Sequence, residues 1–261
     1  IIWYQRPIVN PGGLSGLFNN QNYAGSWLNL IWPFCIALVF EKTQSIFKKS
    51  ITLGFLLSVA LASFLTYSRN AWGGLLLALP ILIGQARIIW ISLLVILILI
   101  YLFTYLSGSL SLDLLDSIKK FIPQRIYLEF AEEGYKNLDT TRLEILKSAF
   151  KIATIRPFIG IGAASFTAIF AMQTNLYKGH SHNLIIELAI SYGIPVTIIL
   201  FITISTLIIK SWFSIFFKIE KKKEINFIDR AFWTSIFVFL ISQLVDIQYF
   251  DGKIGILAWT L

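Results

Sequence analysis

Long apolar runs separated by short polar segments dominate the chain. A membrane-spanning helix needs about 20 mostly apolar residues, because the bilayer offers its backbone no hydrogen-bond partner outside the helix. Six runs approach this length, at residues 23–40, 51–66, 71–84, 88–106, 184–209 and 231–245, and a seventh begins near residue 254. The pattern predicts an all-α protein, a polytopic bundle of transmembrane helices.

Basic residues are concentrated in every second connection between these runs. Three lysines separate the first run from the second, Arg87 follows the third run, and six basic residues from Lys210 to Arg230 follow the fifth. The alternate short connections carry only Arg69 and Lys253. Because Lys and Arg are retained on the cytoplasmic side, the basic connections are predicted to be cytoplasmic. The segment 107–180 then forms a large extracytoplasmic loop.

Composition indicates a membrane protein and argues against a soluble domain. The chain is 56% hydrophobic and 14% charged, whereas roughly a quarter of the residues of a soluble domain are charged. Sorting the basic residues by connection shows that the net charge of +8 indicates orientation rather than nucleic-acid binding. The lysine run at residues 221–223 is interpreted in the same way, with binding of anionic lipid headgroups as the alternative.

The two ends of the chain and its one cysteine set further bounds. The chain begins with Ile1 and stops at Leu261 inside an apolar run, so we treat residues 1–261 as one membrane domain of a longer protein. Cys35 lies within a hydrophobic run, and a single cysteine excludes a disulfide framework and a cysteine-based metal site.

The large loop contains helical signals of its own. Thr141 and Glu144 have the spacing of a capping box, and apolar residues then recur with helical periodicity at Leu143, Leu146, Ala149, Phe150 and Ala153. A helix is predicted to start here and to end before Arg156, resting on the membrane surface or over the spans. Residues 165–176 are predicted to form a second helix.

Ionisable side chains are missing from the centres of the predicted spans. They lie at the outer ends instead, at Arg69, His182, Glu187, Asp246 and Asp251. An ion-coupled transporter usually carries such groups near the midplane of the bilayer. The distribution therefore favours a reaction or a binding event at the outer face.

Two arginines and a pair of histidines are the candidate site residues. Arg69 lies in a tight outer turn and Arg142 in the first turn of the loop helix, where each either binds an anion or is simply solvated. His182 is predicted to occupy the first turn of the span 184–209, where the helix N-terminus favours a neutral ring that can accept a proton. A structural cap is the alternative for His182. Two histidines without cysteine predict no metal site.

Several segments together resemble the O-antigen ligase and polymerase superfamily. They are residues 16–24 (GLFNNQNYA), Tyr67-Ser68-Arg69, Arg142, residues 156–162 (RPFIGIG), His182-Asn183 and residues 192–195 (YGIP). The resemblance implies a multi-pass bacterial inner-membrane enzyme of lipopolysaccharide biosynthesis. It would transfer or polymerise a glycan linked to undecaprenyl pyrophosphate, onto an acceptor hydroxyl at the outer face, with no metal, nucleotide sugar or other cofactor.

The resemblance also implies roles for individual residues. Arg69 and Arg142 match arginines thought to hold the pyrophosphate, a task that suits guanidinium groups because they pair bidentately with phosphate oxygens. His182 matches a histidine proposed to activate the acceptor hydroxyl, and His180 remains an alternative to it. The acceptor is a glycan, a lipid or a protein, so the sequence does not separate a ligase from a polymerase.

Two other functions stay open at this point. Some members of the superfamily are described as inorganic-carbon transporters, and a bicarbonate transporter is the first alternative. A non-catalytic partner in glycan export is the second, and it predicts that replacing His182 leaves function intact.

Overall fold

The computed structural model describes residues 13–18, 20–41, 45–83, 142–217 and 226–261. All regular elements within these ranges are helical. They are α1 (Gln21–Val39), α2 (Ile46–Leu65), α3 (Arg69–Ile83), α4 (Arg142–Ala153), α5 (Ser165–Thr174), α6 (Leu184–Tyr192), α7 (Ile194–Trp212) with a π-helical turn (Phe213–Phe217), α8 (Phe227–Ser242) and α9 (Gly252–Thr260). The predicted run 88–106, the first part of the large loop and the lysines at 221–223 lie outside the described residues.

Two of the described helices are long and apolar enough to cross a membrane. They are Ile46–Leu65 and Ile194–Phe216, and only 11% and 6% of their most apolar windows are buried inside the protein. Long apolar helices with such exposed sides suit contact with lipid chains rather than with water. The all-helical prediction is thus confirmed for the described residues, together with two candidate spans.

Helices α1, α3 and α8 pack against one another and form the main core. The buried cluster between them includes three small residues, Ala37, Ala78 and Ala231, each fully buried. Small side chains let helix backbones approach closely, which increases their van der Waals contact. The Ser235 hydroxyl also donates a hydrogen bond to the Leu30 carbonyl over 2.7 Å. This three-helix core is the frame on which the site described below is built.

A second core joins α4, α5 and α6. Its buried members are Ile145, Ala149, Ile152, Ala153, Phe166, Phe170, Ala189 and Ile190. The predicted loop helix is confirmed, but the face it buries was predicted wrongly in part. Ile145 and Ile152 are buried, whereas Leu143 and Phe150 are exposed, because positions 145, 149, 152 and 153 share one side of an α-helix.

The apolar run 184–209 does not form the single span that was predicted. It is broken at Gly193, which has a φ of 87° and separates α6 from α7. A Cβ at Gly193 would collide with the Phe158 carbonyl, and one at Gly160 would collide with the Ser191 carbonyl. The segments 156–162 and 192–195 therefore interlock through their glycines, and the Ile194 N–H donates to the Pro157 carbonyl over 2.7 Å.

Arg230 is the second correction, because it lies within a helix rather than in the connection between the fifth and sixth apolar runs. Helix α8 begins at Phe227 with the Asn226 side chain as its cap, so Arg230 is within the helix and only 1% exposed. Its guanidinium donates to the Leu82 carbonyl over 3.2 Å and lies 5.0 Å from the ring centroid of Phe216. Burial of this arginine is thus matched by a carbonyl at the end of α3 and by an aromatic face.

Candidate functional site

A cavity of about 470 Å³ lies between the start of α1, helix α3, the end of α8 and the start of α4. Both arginines predicted from the sequence, Arg69 and Arg142, contribute to its lining, although they are far apart in the chain. The other polar lining residues are Gln21, Asn22, Tyr67, Asn70, Ser242 and Asp246, and the apolar ones are Leu76, Leu77, Val238, Ile241 and Val245. The lining thus combines two arginines and other polar groups with apolar side chains.

Two adjacent glycines of α3 line the cavity and have different surroundings. Gly73 and Gly74 both line it. A Cβ at Gly74 would collide with the Asn29 side chain, whereas a Cβ at Gly73 would meet no atom within 4 Å. Glycine inside a helix costs about 1 kcal/mol relative to alanine. Gly73 is therefore a position where a side chain is missing beside an open space.

Asp246 is the acid at the edge of this cavity, and it is bound to His182. The Asp246 side chain follows α8, is only 4% exposed, and lies with Oδ1 2.7 Å from His182 Nδ1. Its Oδ2 accepts a hydrogen bond from Asn22 Nδ2 over 3.0 Å, and the Ile247 N–H donates to Oδ1 over 3.1 Å. Both carboxylate oxygens are therefore engaged. The described lining residues of the cavity do not include His182, which contacts the lining residue Asp246 instead.

His182 does not lie in the first turn of a helix, contrary to the prediction. Asn183 is the cap of α6, and its Oδ1 accepts from the Ile186 N–H over 3.1 Å. His182 precedes this cap with a φ of 59°, a left-handed conformation that costs a non-glycine residue of order 1–3 kcal/mol. The surrounding structure must hold the residue in this conformation.

The two segments that carry His182 and Asp246 are joined by hydrogen bonds. Asn183 Nδ2 donates to the Leu244 carbonyl over 3.0 Å, and the Leu184 N–H donates to the Gln243 carbonyl over 3.0 Å. The Gln243 side chain in turn accepts from the backbone N–H of Gln248 over 3.0 Å. These bonds fix the distance between the histidine and the carboxylate.

His180 lies directly beside His182. The ring centroids are 4.5 Å apart in an edge-to-face arrangement, and His180 Nδ1 accepts a hydrogen bond from the His182 backbone N–H over 3.2 Å. Burial lowers the pKa of His180, and the positive charges of His182 and Arg142 lower it further, although Asp246 opposes them. His180 is therefore neutral near pH 7.

The carboxyl group of Asp246 is ionised near pH 7. Burial by itself would raise its pKa, but the hydrogen bond from His182 and the electrostatic interactions with His182, His180 and Arg142 outweigh burial and lower the pKa. A carboxylate at 2.7 Å from His182 Nδ1 selects the tautomer with hydrogen on Nδ1. The second nitrogen, Nε2, then has a lone pair that can accept a proton.

The same three side chains also have the composition of a cation site. One ligand atom each from His180, His182 and Asp246 lies within 4.8 Å of the others, so the lack of cysteine was not a sufficient reason to exclude a metal. Two ligands of one tetrahedral zinc ion lie roughly 3.3 Å apart. The separation of 2.7 Å between His182 Nδ1 and Asp246 Oδ1 is instead that of a strong hydrogen bond.

Sequence analysis missed Asp246 and Asn22 as site residues. Asp246 was noted only as one of several acids at outer helix ends, and its partner His182 lies 64 positions away. The signal that was available is the rarity of acids near the ends of apolar runs in a chain with 14% charged residues.

Comparison with known protein families assigns the chain. The family model described as O-antigen ligase matches residues 53–201, which is more than half of the 261 residues. The chain belongs to the O-antigen ligase family. The proteins of this family are membrane proteins that transfer glycans, and the matched segment contains Arg69, Arg142 and His182. No curated protein and no solved structure matches the chain significantly.

Proposed function

We propose that this O-antigen ligase family protein transfers a glycan from undecaprenyl pyrophosphate to an acceptor hydroxyl at the outer face of the bacterial inner membrane, which it crosses several times. One observation carries the proposal: the cavity is lined by Arg69, Arg142 and Asp246, and Asp246 is bound in turn to His182. Two cations for the pyrophosphate and a base oriented by a carboxylate are the groups that this transfer needs.

The cavity suits a donor with an anionic head and an apolar tail. Arg69 and Arg142 would bind the pyrophosphate, because a guanidinium group pairs bidentately with phosphate oxygens and keeps its charge at any physiological pH. Leu76, Leu77 and Val238 form part of the apolar lining and would contact the first isoprene units. The polar lining residues would thus contact the pyrophosphate of the lipid carrier, and the apolar lining residues would contact its isoprenoid chain.

The chemistry follows from the hydrogen-bonded pair. His182 Nε2 takes the proton of the acceptor hydroxyl while the hydroxyl oxygen forms a bond to the anomeric carbon of the donor. The bond between that carbon and the pyrophosphate oxygen breaks, and its electron pair leaves with the undecaprenyl pyrophosphate. Asp246 stabilises the imidazolium that forms, and the arginines stabilise the charge on the leaving group.

This mechanism needs no metal and no nucleotide sugar, because the leaving group is already activated and both charges are met by side chains. It applies equally to an acceptor on a second glycan, on a lipid or on a protein, that is, to a polymerase or to a ligase.

Profiling of surface glycans on gels tests the proposal in cells. The comparison includes the full-length protein, Arg142→Ala and His182→Ala, with Lys147→Ala as the control, because Lys147 is an exposed residue of the same helix. Loss of a general base costs about 10²- to 10⁴-fold in rate, so the histidine variant should lose surface glycan while its lipid-linked precursor accumulates.

The rate of glycan transfer by Arg142→Ala should be roughly 10- to 150-fold lower, as expected for loss of a hydrogen-bonded ion pair with the pyrophosphate. Lys147→Ala should remain active. Normal glycan in both site variants at equal membrane levels would contradict the proposal. A deletion strain that loses bicarbonate uptake while its surface glycan is unchanged would favour the alternative of a bicarbonate transporter.

A further inference from the structure

One ring nitrogen of His180 accepts a hydrogen bond, and the other lies near a carboxylate. Its Nδ1 accepts the His182 backbone N–H over 3.2 Å, and its Nε2 lies 3.8 Å from Asp246 Oδ1. A neutral imidazole has one donor nitrogen and one acceptor nitrogen. Acceptance at Nδ1 therefore requires the hydrogen of His180 on Nε2, the nitrogen nearer the carboxylate.

The bond to His180 Nδ1 acts on the strained residue of the site. His182 has a φ of 59°, and its N–H lies in a partly buried loop, where it needs an acceptor. Ser181 between them is held separately, because its N–H donates to the buried Glu187 carboxylate over 2.9 Å. His180 Nδ1 is thus the acceptor that holds the backbone of His182, whereas Glu187 holds the residue before it.

We propose that His180 is a positioning residue of the transfer reaction, kept neutral so that Nδ1 holds the backbone of His182 and aims its ring at Asp246. The inference rests on the proposed function, in which His182 is the base. It assigns the two histidines different tasks: His182 accepts the proton, and His180 fixes the conformation in which it does so.

Charge around His180 fits this task. The groups that face it are His182 in the same loop, Asp246 after α8 and Arg142 at the start of α4. A protonated His180 would present a hydrogen on Nδ1 to the His182 N–H, so the bond exists only in the neutral state.

Two neutral substitutions separate the nitrogens of His180. An asparagine side chain places an amide atom near the position of Nδ1, whereas a glutamine side chain places one near Nε2. We expect His180→Asn to keep kcat within about threefold, because its amide oxygen can accept the His182 N–H. His180→Gln should lower kcat about tenfold, the upper range for one lost hydrogen bond, with the donor KM unchanged because the arginines remain.

Activity of the asparagine variant separates positioning from proton transfer, because His182 and Asp246 both remain in it. If the activity of His180→Asn were as low as that of His182→Ala, the inference would be overturned, because the imidazole ring of His180 itself would then be required. Wild-type activity of His180→Gln would also overturn the inference, because the hydrogen bond to Nδ1 would then have no role.

The ¹⁵N chemical shifts of histidine in the unsubstituted protein give a second test that does not depend on how a variant folds. The signal lost in His180→Asn identifies His180, and it should show an unprotonated Nδ1 near pH 7. A protonated Nδ1 would overturn the inference. A fully active His182→Ala would instead refute the proposed function, and the tautomer measurement would still stand on its own.

Discussion

Replacing Asp246 with asparagine removes the charge of the His182 partner with little change of shape. The introduced amide can present its oxygen to His182 Nδ1, at the present separation of 2.7 Å. The amide of Asn22, now 3.0 Å away and donating, can turn so that its oxygen accepts from the new NH₂ group. The substitution therefore tests the negative charge rather than the geometry.

The magnitude follows from the bond that loses its charge. A hydrogen bond to an ionised group contributes about 1.5–3 kcal/mol. If Asp246 stabilises the imidazolium in the transition state, the loss corresponds to a decrease of roughly 10- to 150-fold in kcat. The donor KM should stay within about threefold, because Asp246 is not proposed to bind the pyrophosphate.

The assay is the rate of glycan transfer by purified full-length protein at several donor concentrations. Asp251→Asn is the matched control: Asp251 caps α9 through bonds from the N–H groups of Lys253 and Ile254, and an asparagine can cap equally well. Full kcat in Asp246→Asn, or an effect confined to donor KM, would refute the role of the carboxylate.

Two further predictions concern the cavity and the response to acid. Gly73→Leu should raise the donor KM at least tenfold, because the new side chain fills open space in the cavity. The control is Gly54→Leu on α2, where a Cβ also meets no atom within 4 Å; it should leave the donor KM unchanged. Equal KM values for the two variants would show that the donor binds elsewhere. The pKa of His180 is lowered from 6.5 and that of Asp246 from 3.8, so each group binds protons more readily when unfolded, and acidification through these values lowers stability. In detergent, the thermal midpoint of unfolding should decrease as the pH is lowered below 6.5 and decrease again as it is lowered below 4. His180→Asn should remove the first decrease and Asp246→Asn the second. Unchanged slopes of the midpoint against pH in these variants would contradict both pKa shifts.

The sequence predicted the helices whose signals are local. Helix α4 was located by Glu144 and the apolar residues after it, and the ends of α1 and α5 fell within a few residues of their predicted positions. Arg69 was identified in a predicted outer turn and Arg142 in the first turn of the predicted loop helix, and in the structure each is the first residue of a helix. Helix periodicity and capping depend on neighbouring residues, so they can be recognised in one sequence.

Features that depend on distant contacts were missed. The break at Gly193 is hidden in a continuous apolar run, and it exists because the Phe158 carbonyl occupies the space beside that glycine. Pro195, close behind it, lies in the first turn of α7 and was the available sign of a new helix start. The pairing of His182 with Asp246 had no comparable sign, because it is created by the packing of two separate segments.

Reconstitution in liposomes tests the central claim most directly. The purified full-length protein is supplied with the lipid-linked glycan that accumulates in a deletion strain and with an acceptor-containing membrane extract, in the presence of a chelator. We expect transfer of the glycan and release of an equal amount of undecaprenyl pyrophosphate by the wild type, and neither product with His182→Ala. An unchanged donor with the wild type, or equal transfer by His182→Ala, would contradict the account.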